Sequence, residues 1–507
     1  MACTTLLVGK DASYDGSTII ARNEDCGASE FCLQRFAVVL PSEQPRHYRS
    51  VISHVEIDLP DNPMRYSSLP NALDNEGIWA AAGVNEANVA MSATETITTN
   101  PRVLAADPLV ELKKAQGKEG DADYVPEVPG GIGEEDIPTL VLPYIHSARE
   151  GVQRLGELLA TYGTYENNGI AFADVDEIWW LETIGGHHWI ARRVPDDCYV
   201  TMPNQLGIDM FDLADAEDEQ EDFMCSADLR TWMADNCLDR TINDAEWPFG
   251  RFNPREAFGS HADADHVYNT PRAWAMQRYL SPRAERWDGP NADYTPESDD
   301  LPWMREAERK LTVEDVKDVL SNHYQGTPYD PYGRWGDEAT RHAYRPIAVN
   351  RNCQSHIIQL RGDMPAAVQA VEWVFFGSNV FNAPVALFAN ADAAPEYLAN
   401  TTERVDTDNL YWASRLIGAL ADAQFSACAN HIEHYQEAVA AQSHAIINRV
   451  RREVIAAEES YEQATARLTR ANDEIAAMAK KETDTCLSNV LFATSLGMKN
   501  AFARNDR

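Results

Sequence analysis

Strand character begins almost at the first residue of this chain and returns in short bursts, which commits much of it to antiparallel sheet. Thr4 to Gly9 is rich in β-branched residues and leucine, Lys10 to Ser17 supplies Asp, Ser and Gly turn residues, and Thr18 to Arg22 resumes the strand pattern. That order predicts a hairpin at the extreme N-terminus. A second hairpin is expected from Gly77 to Val84 and Val89 to Thr94, joined by the turn Asn85-Glu86-Ala87-Asn88. Four more runs, Gly169 to Ala173, Glu177 to Thr183, His188 to Val194 and Tyr199 to Met202, are separated by Asp-Val-Asp, Gly-Gly and Pro-Asp-Asp turns.

Helical spacing is confined to other stretches. Ile137, Leu140, Val141, Tyr144, Ile145, Ala148, Val152, Leu155 and Leu159 recur on one face, so one helix over 137–160 is expected, stopped by Gly163. A last strand group runs from Ile347 to Leu360 and from Val371 to Phe376. From about Asp408 to Lys481 Gly and Pro almost vanish, which predicts long helices packed on the core or against a second copy of the chain. Residues 105–135 read as a surface loop, and 205–265 and 283–300 as polar excursions. The chain therefore divides into a short leader at 1–2, an α+β core over 3–400 carrying those insertions, and a mainly helical region over 401–507.

Charge and cysteine content narrow the function classes. The net charge of −37 repels phosphate, which excludes nucleic acid and anionic membrane as partners. No apolar run approaches the roughly 18–20 residues of a membrane span, and the start lacks a signal-peptide pattern, so a cytoplasmic location is expected. Nine cysteines without any C-x-x-C pair fit reduced thiols, and no zinc-ligand spacing appears. His187 and His188 are consecutive and are expected on opposite faces of a strand, where they cannot share a metal. His431 and His434 sit on a solvated helix face, and Trp179, Trp180 and Trp189 are expected in a sheet core.

Cys3 is the residue with chemical promise. A cysteine at a chain's N-terminus carries its own base, since an α-amino group with a pKa of about 8 lies beside a thiol with a pKa of about 8.5. This requires removal of Met1 and Ala2, the second by attack of the Cys3 thiol on the Ala2 carbonyl. The end of the first hairpin, Arg22-Asn23-Glu24-Asp25, lies beside Cys3 if the strands pair. There Arg22 would stabilise the thiolate or the oxyanion, and Asp25 would orient the α-ammonium.

The segment ACTTLLVGKDASYDGSTIIARNED at 2–25 closely resembles the start of the C69 dipeptidases of dipeptidase A type. The similarity continues in order through GIWAAAGVNEANVAMSATETITTN at 77–100, GIGEED at 131–136 and DEIWWLETIGGHHWIARRVPDDCYV at 176–200. It resumes in YNTPRAWAMQRYL at 268–280, TPYDPYG at 327–333 and RPIAVNRNCQSHIIQLR at 345–361. Such proteins are similar to penicillin V acylase and bile salt hydrolase, so the resemblance implies an N-terminal nucleophile hydrolase. Its fold would be an αββα sandwich with the nucleophile opening a central strand.

The resemblance further implies Cys3 as nucleophile, Arg22 and Asp25 as the R-N-x-D element, Asn204 as oxyanion donor and Arg272 as an active-site arginine. A second oxyanion position falls near Thr94 to Thr96, where Glu95 stands in place of asparagine. Glu95 is therefore the expected anchor for the free ammonium of a dipeptide. The implied reaction runs through a thioester and needs no metal or organic cofactor. Its substrate would be a small peptide, and its state a homo-oligomer. The alternatives are an acylase of the penicillin V or bile salt type, or a non-catalytic binding protein resembling the secernins.

Overall fold

The computed structural model describes residues 3–27, 30, 32–73, 77–238 and 251–500. The Met1-Ala2 leader and residues 239–250 of the first polar excursion lie outside the described residues. Thr4–Val8 (β1) and Thr18–Asp25 (β2) form the expected hairpin, with Thr5 opposite Arg22 and Leu7 opposite Ile20. They occupy the middle of a seven-stranded antiparallel sheet, ordered Met304–Glu306, Cys198–Met202, β1, β2, Asn352–Leu360, Ala370–Phe376 and Val385–Phe388. A second, six-stranded sheet runs Phe223–Cys225, Trp189–Val194, Ile178–Thr183, Asn168–Ala173, Ala90–Thr96 and Ala82–Val84.

The two sheets face each other, since β2 contacts both Ala90–Thr96 and Asn168–Ala173. Helix Ala148–Tyr162 covers the far side of the second sheet through Val152, Leu155 and Leu159. Thr270–Leu280 and Val313–Leu320 cover the first sheet, and Phe425–Ala457 and Tyr461–Leu496 pack on its Val385–Phe388 strand. The architecture is α+β. β1 and β2 are buried along their whole length because both faces are covered, which is why β1 reads Thr-Thr-Leu-Leu-Val without polar alternation. The polar quartet Arg22 to Asp25 at the end of β2 is buried with the rest, so it is not an ordinary solvated hairpin end.

Several expectations change. The single helix over 137–160 is instead Ile137–Val141, a 3-10 turn at Leu142–Tyr144, an extended Ile145 and then Ala148–Tyr162. Pro143 supplies no N–H and breaks the ladder, and the Ser147 side chain caps the restart by accepting from the Glu150 N–H. Gly163 does end that helix, at φ 67°. The second hairpin keeps only Ala82–Val84 of its first arm, because Trp79 (φ 48°) and Ala81 (φ 49°) are left-handed. The Tyr199 to Met202 run leaves the meander at Pro195-Asp196-Asp197 and crosses to the first sheet, beside β1. Phe223–Cys225, inside the supposed polar excursion, extends the second sheet instead. His187 and His188 precede their strand in the Gly185-Gly186 turn, and both ring Nδ1 atoms meet Asp107, at 3.2 and 2.8 Å.

Glu182 shows how the inter-sheet core handles charge. Its Oε1 accepts from the N–H groups of Gly207 and Ile208 and from Trp180 Nε1, while burial pushes the carboxyl up to about 7. An acid raised in the fold holds a proton that the unfolded chain releases. Its contribution to stability is therefore full below the ordinary value of 4.5 and lost as pH rises through about 7. Melting temperature measured from pH 5 to 8 should accordingly fall more steeply in the parent than in Glu182→Gln. Parallel curves would show that the carboxyl does not titrate there.

Candidate active site

Alternation along β1 and β2 sorts the site into two faces. Cys3, Thr5, Arg22 and Glu24 point between the sheets. Thr4, Asn23 and Asp25 point toward the helices on the other side, where Asn23 Nδ2 donates to the Leu320 carbonyl. Cys3 is fully buried, and Arg22 Nη1 donates to its Sγ at 3.4 Å. Arg22 is itself fixed through Nη2, which donates to Glu24 Oε2 at 2.9 Å, to the Ala93 carbonyl at 2.6 Å and to the Ala81 carbonyl at 3.2 Å. The left-handed backbone at Ala81 thus serves to present a carbonyl to this guanidinium. Burial pushes the Cys3 thiol up to about 12; the Arg22 charge opposes this and Glu95 reinforces it. Behind Arg22, burial and the guanidinium hold His356 well below its ordinary pKa, so its ring is neutral between Ser92 and Gln354.

Two carboxylates flank the thiol. Glu24 Oε2 also accepts from Gln354 Nε2 at 2.9 Å, and burial pushes this carboxyl up to about 7. Glu95 accepts from Thr5 Oγ1 at 2.8 Å and is likewise pushed up by burial to about 7, against the pull of Arg272. Glu95 reaches this face because the pairing of Ala90–Thr96 with Asn168–Ala173 shifts register between Ala93 and Glu95. Ser92 bonds His356 in the first sheet; without the extra residue Glu95 would point to the opposite face.

On the backbone side of Cys3, Arg272 enters from helix Thr270–Leu280 and is fully buried. Its Nη1 donates to the Cys3 carbonyl and to Thr4 Oγ1, and its Nη2 to Asn204 Oδ1 at 2.7 Å and Asn269 Oδ1 at 2.8 Å. Asn204 follows the Cys198–Met202 strand, and its Nδ2 donates to the Thr96 carbonyl at 2.9 Å. Asp25 lies on the helix-facing side, ion-paired with Arg345 and bonded by Asn352 Nδ2 at 3.1 Å. The Tyr268 ring lies against both guanidiniums, 5.1 Å from that of Arg272 and 5.2 Å from that of Arg345.

The structure thus joins Cys3 directly to Arg22 and Arg272, and through Arg272 to Asn204. Asp25 connects more remotely, through Arg345, whose Nη1 lies 3.5 Å from Thr4 Oγ1. Reading the sequence missed Arg345, Asn269, Asn352 and Gln354. All four fall inside the family-like stretches at 268–280 and 345–361, which is the signal that points to them. A cleft of about 950 Å³ opens at Glu24, walled by Trp79, Leu33, Asn71, Glu403 and Trp412. Among the described residues no group of three or more His, Cys, Asp or Glu is arranged to hold a metal ion, and no helix is long and apolar enough to cross a membrane. All nine cysteines are free thiols.

Comparison with known proteins places the chain in a family. A dipeptidase of Bifidobacterium longum is 54% identical, with all of both chains aligned. A probable dipeptidase A of Streptococcus pyogenes is 50% identical, again over the whole of both chains. Dipeptidase A of Lactobacillus helveticus is 43% identical over 89% of this chain and 88% of its own. The pattern that defines peptidase family C69 matches residues 2–438, which takes in every residue of the constellation around Cys3, and the chain belongs to that family.

Proposed function

We propose that this chain is a cysteine dipeptidase of the N-terminal nucleophile type, built on an αββα sandwich, with Cys3 as nucleophile once Met1 and Ala2 are removed. The observation that carries the proposal is the Arg22 guanidinium on Cys3 Sγ at the head of a central strand, with Arg272 gripping the same residue's carbonyl. The relatives' names supply the substrate class.

In this mechanism the Cys3 sulfur attacks the scissile carbonyl carbon, and its proton passes to the freed Cys3 α-amine. Removal of the leader places an ammonium beside a thiol that burial otherwise holds near 12, and so favours the thiolate. The oxyanion forms opposite the Asn204 amide, whose Nδ2 exchanges its Thr96 bond for the new charge. Collapse breaks the C–N bond, and the ammonium returns its proton to the leaving amine. Water then hydrolyses the thioester and regenerates the thiol. Asp25, held by Arg345 and Asn352, orients the α-ammonium, and Arg272 fixes the Cys3 backbone and Asn204 in one register.

The chain acts in the cytoplasm and self-associates through the end of helix Tyr461–Leu496, where Leu491, Phe492 and Leu496 leave an exposed apolar strip. The cleft carries Glu24, Glu30 and Glu403 with no lysine or arginine among its described lining residues, a poor match for anionic bile salts or penicillins. Purified protein should therefore hydrolyse free dipeptides in the presence of a chelator and leave penicillin V intact. Turnover of penicillin V without turnover of any dipeptide would replace this reading with the acylase one.

A further inference from the structure

We propose that Glu24, rather than Glu95, is the residue that anchors the free α-ammonium of the substrate and so sets the requirement for an unblocked N-terminus. The inference rests on the dipeptidase reading and names the group that enforces it.

The α-amine of a dipeptide is separated from the scissile carbonyl by one Cα. Its counter-ion must therefore stand beside the nucleophile. Glu24 and Glu95 both do so, and each has one buried oxygen, Oε1, without a hydrogen-bond partner. A buried carboxylate oxygen left unpaired costs free energy, and a missing partner of opposite charge explains it at a binding site. What separates the two is access. Both side chains are buried, but Glu24 stands in the cleft wall, whereas Glu95 packs against Thr5 and is not part of that wall.

Glu24 is also the more rigid of the two. Arg22 and Gln354 clamp its Oε2, which leaves Oε1 as the atom presented to a ligand. Because Arg22 touches Glu24 through Nη2 and the Cys3 sulfur through Nη1, an ammonium on Glu24 would set the adjoining carbonyl on the side of Cys3, which is itself buried behind the cleft wall. Glu30 and Glu403 farther along the cleft extend the negative potential that draws a cation inward.

The test compares L-alanyl-L-alanine with its N-formyl derivative in the parent, Glu24→Gln and Glu95→Gln. In Glu24→Gln the KM for the free dipeptide should rise about 10- to 100-fold, the loss of one charge-assisted hydrogen bond, with kcat within a few-fold. Discrimination against the formyl derivative should collapse with it, and Glu95→Gln should retain that discrimination. An equal loss on both substrates in Glu24→Gln would assign the residue a structural role through Arg22. Collapse of discrimination in Glu95→Gln alone would return the role to Glu95. A binding measurement needs neither variant nor turnover: the parent should bind alaninamide at least about tenfold more tightly than N-acetylalaninamide. Equal affinity would overturn the ammonium anchor even if both variants fail to fold. Tight alaninamide binding in a protein that turns over no dipeptide would instead overturn the dipeptidase reading.

Discussion

Replacing Cys3 with alanine should abolish dipeptide hydrolysis, with kcat falling at least about ten-thousand-fold, the scale on which removal of a nucleophile is felt in enzymes that use one. The fold should survive. Cys3 immediately precedes β1, the change removes a single sulfur, and the strand remains paired on both sides to β2 and to Cys198–Met202. Arg22 loses a sulfur acceptor but keeps Glu24 and the Ala81 and Ala93 carbonyls. Turnover assays paired with circular dichroism separate the two outcomes: an active Cys3→Ala protein would remove Cys3 from the chemistry altogether. Cys3→Ser should fall nearly as far, because a hydroxyl at this buried site is a far weaker nucleophile than a thiolate.

The second large effect is expected at Arg272. Its guanidinium is the shared donor for the Cys3 carbonyl, Thr4 Oγ1, Asn204 Oδ1 and Asn269 Oδ1, so Arg272→Met leaves all of them buried without it. It also removes a positive charge that Glu95 and Asp25 favour; burial and the neighbouring Arg345 already hold this arginine down to about 10. Losing one partner from such a buried ionic network costs about 3–5 kcal/mol, to be read from the denaturant midpoint. Because Arg272 ties the Cys3 backbone and Asn204 together, the proposed mechanism predicts that kcat falls at least about a hundredfold as well. Arg272→Lys keeps the charge but loses the fork, so it should recover part of the stability and little of the rate. If Arg272→Met retained full kcat with only lower stability, the residue would be a scaffold and not part of the positioning machinery.

The parts of this site legible in the sequence are those governed by local rules. The turn residues between Lys10 and Ser17 predict the β1–β2 hairpin, and the hairpin alone brings Arg22 beside Cys3. Period-two alternation then places Glu24 on the face of Arg22, a consequence as open to the sequence as the pairing itself. The Gly- and Pro-poor stretch after Asp408 likewise announces Phe425–Ala457 and Tyr461–Leu496. Other features depend on events that leave no periodic trace. The extra residue between Ala93 and Glu95 turns Glu95 toward Cys3, and only the partner strand reveals it. Asp25 and Arg345 are 320 positions apart and are paired by packing alone. A proline in mid-pattern, Pro143, divides a helix whose apolar spacing looks continuous, and the Gly185-Gly186 turn lets adjacent histidines meet one carboxylate.

The whole mechanism depends on an α-amine at Cys3, and intact mass measured on the same sample as activity tests it most directly. Active parent protein should have lost Met1 and Ala2, and Cys3→Ala, which cannot cleave the Ala2–Cys3 bond itself, should retain Ala2. Fully active parent protein that still carries Ala2 would contradict an N-terminal nucleophile at Cys3.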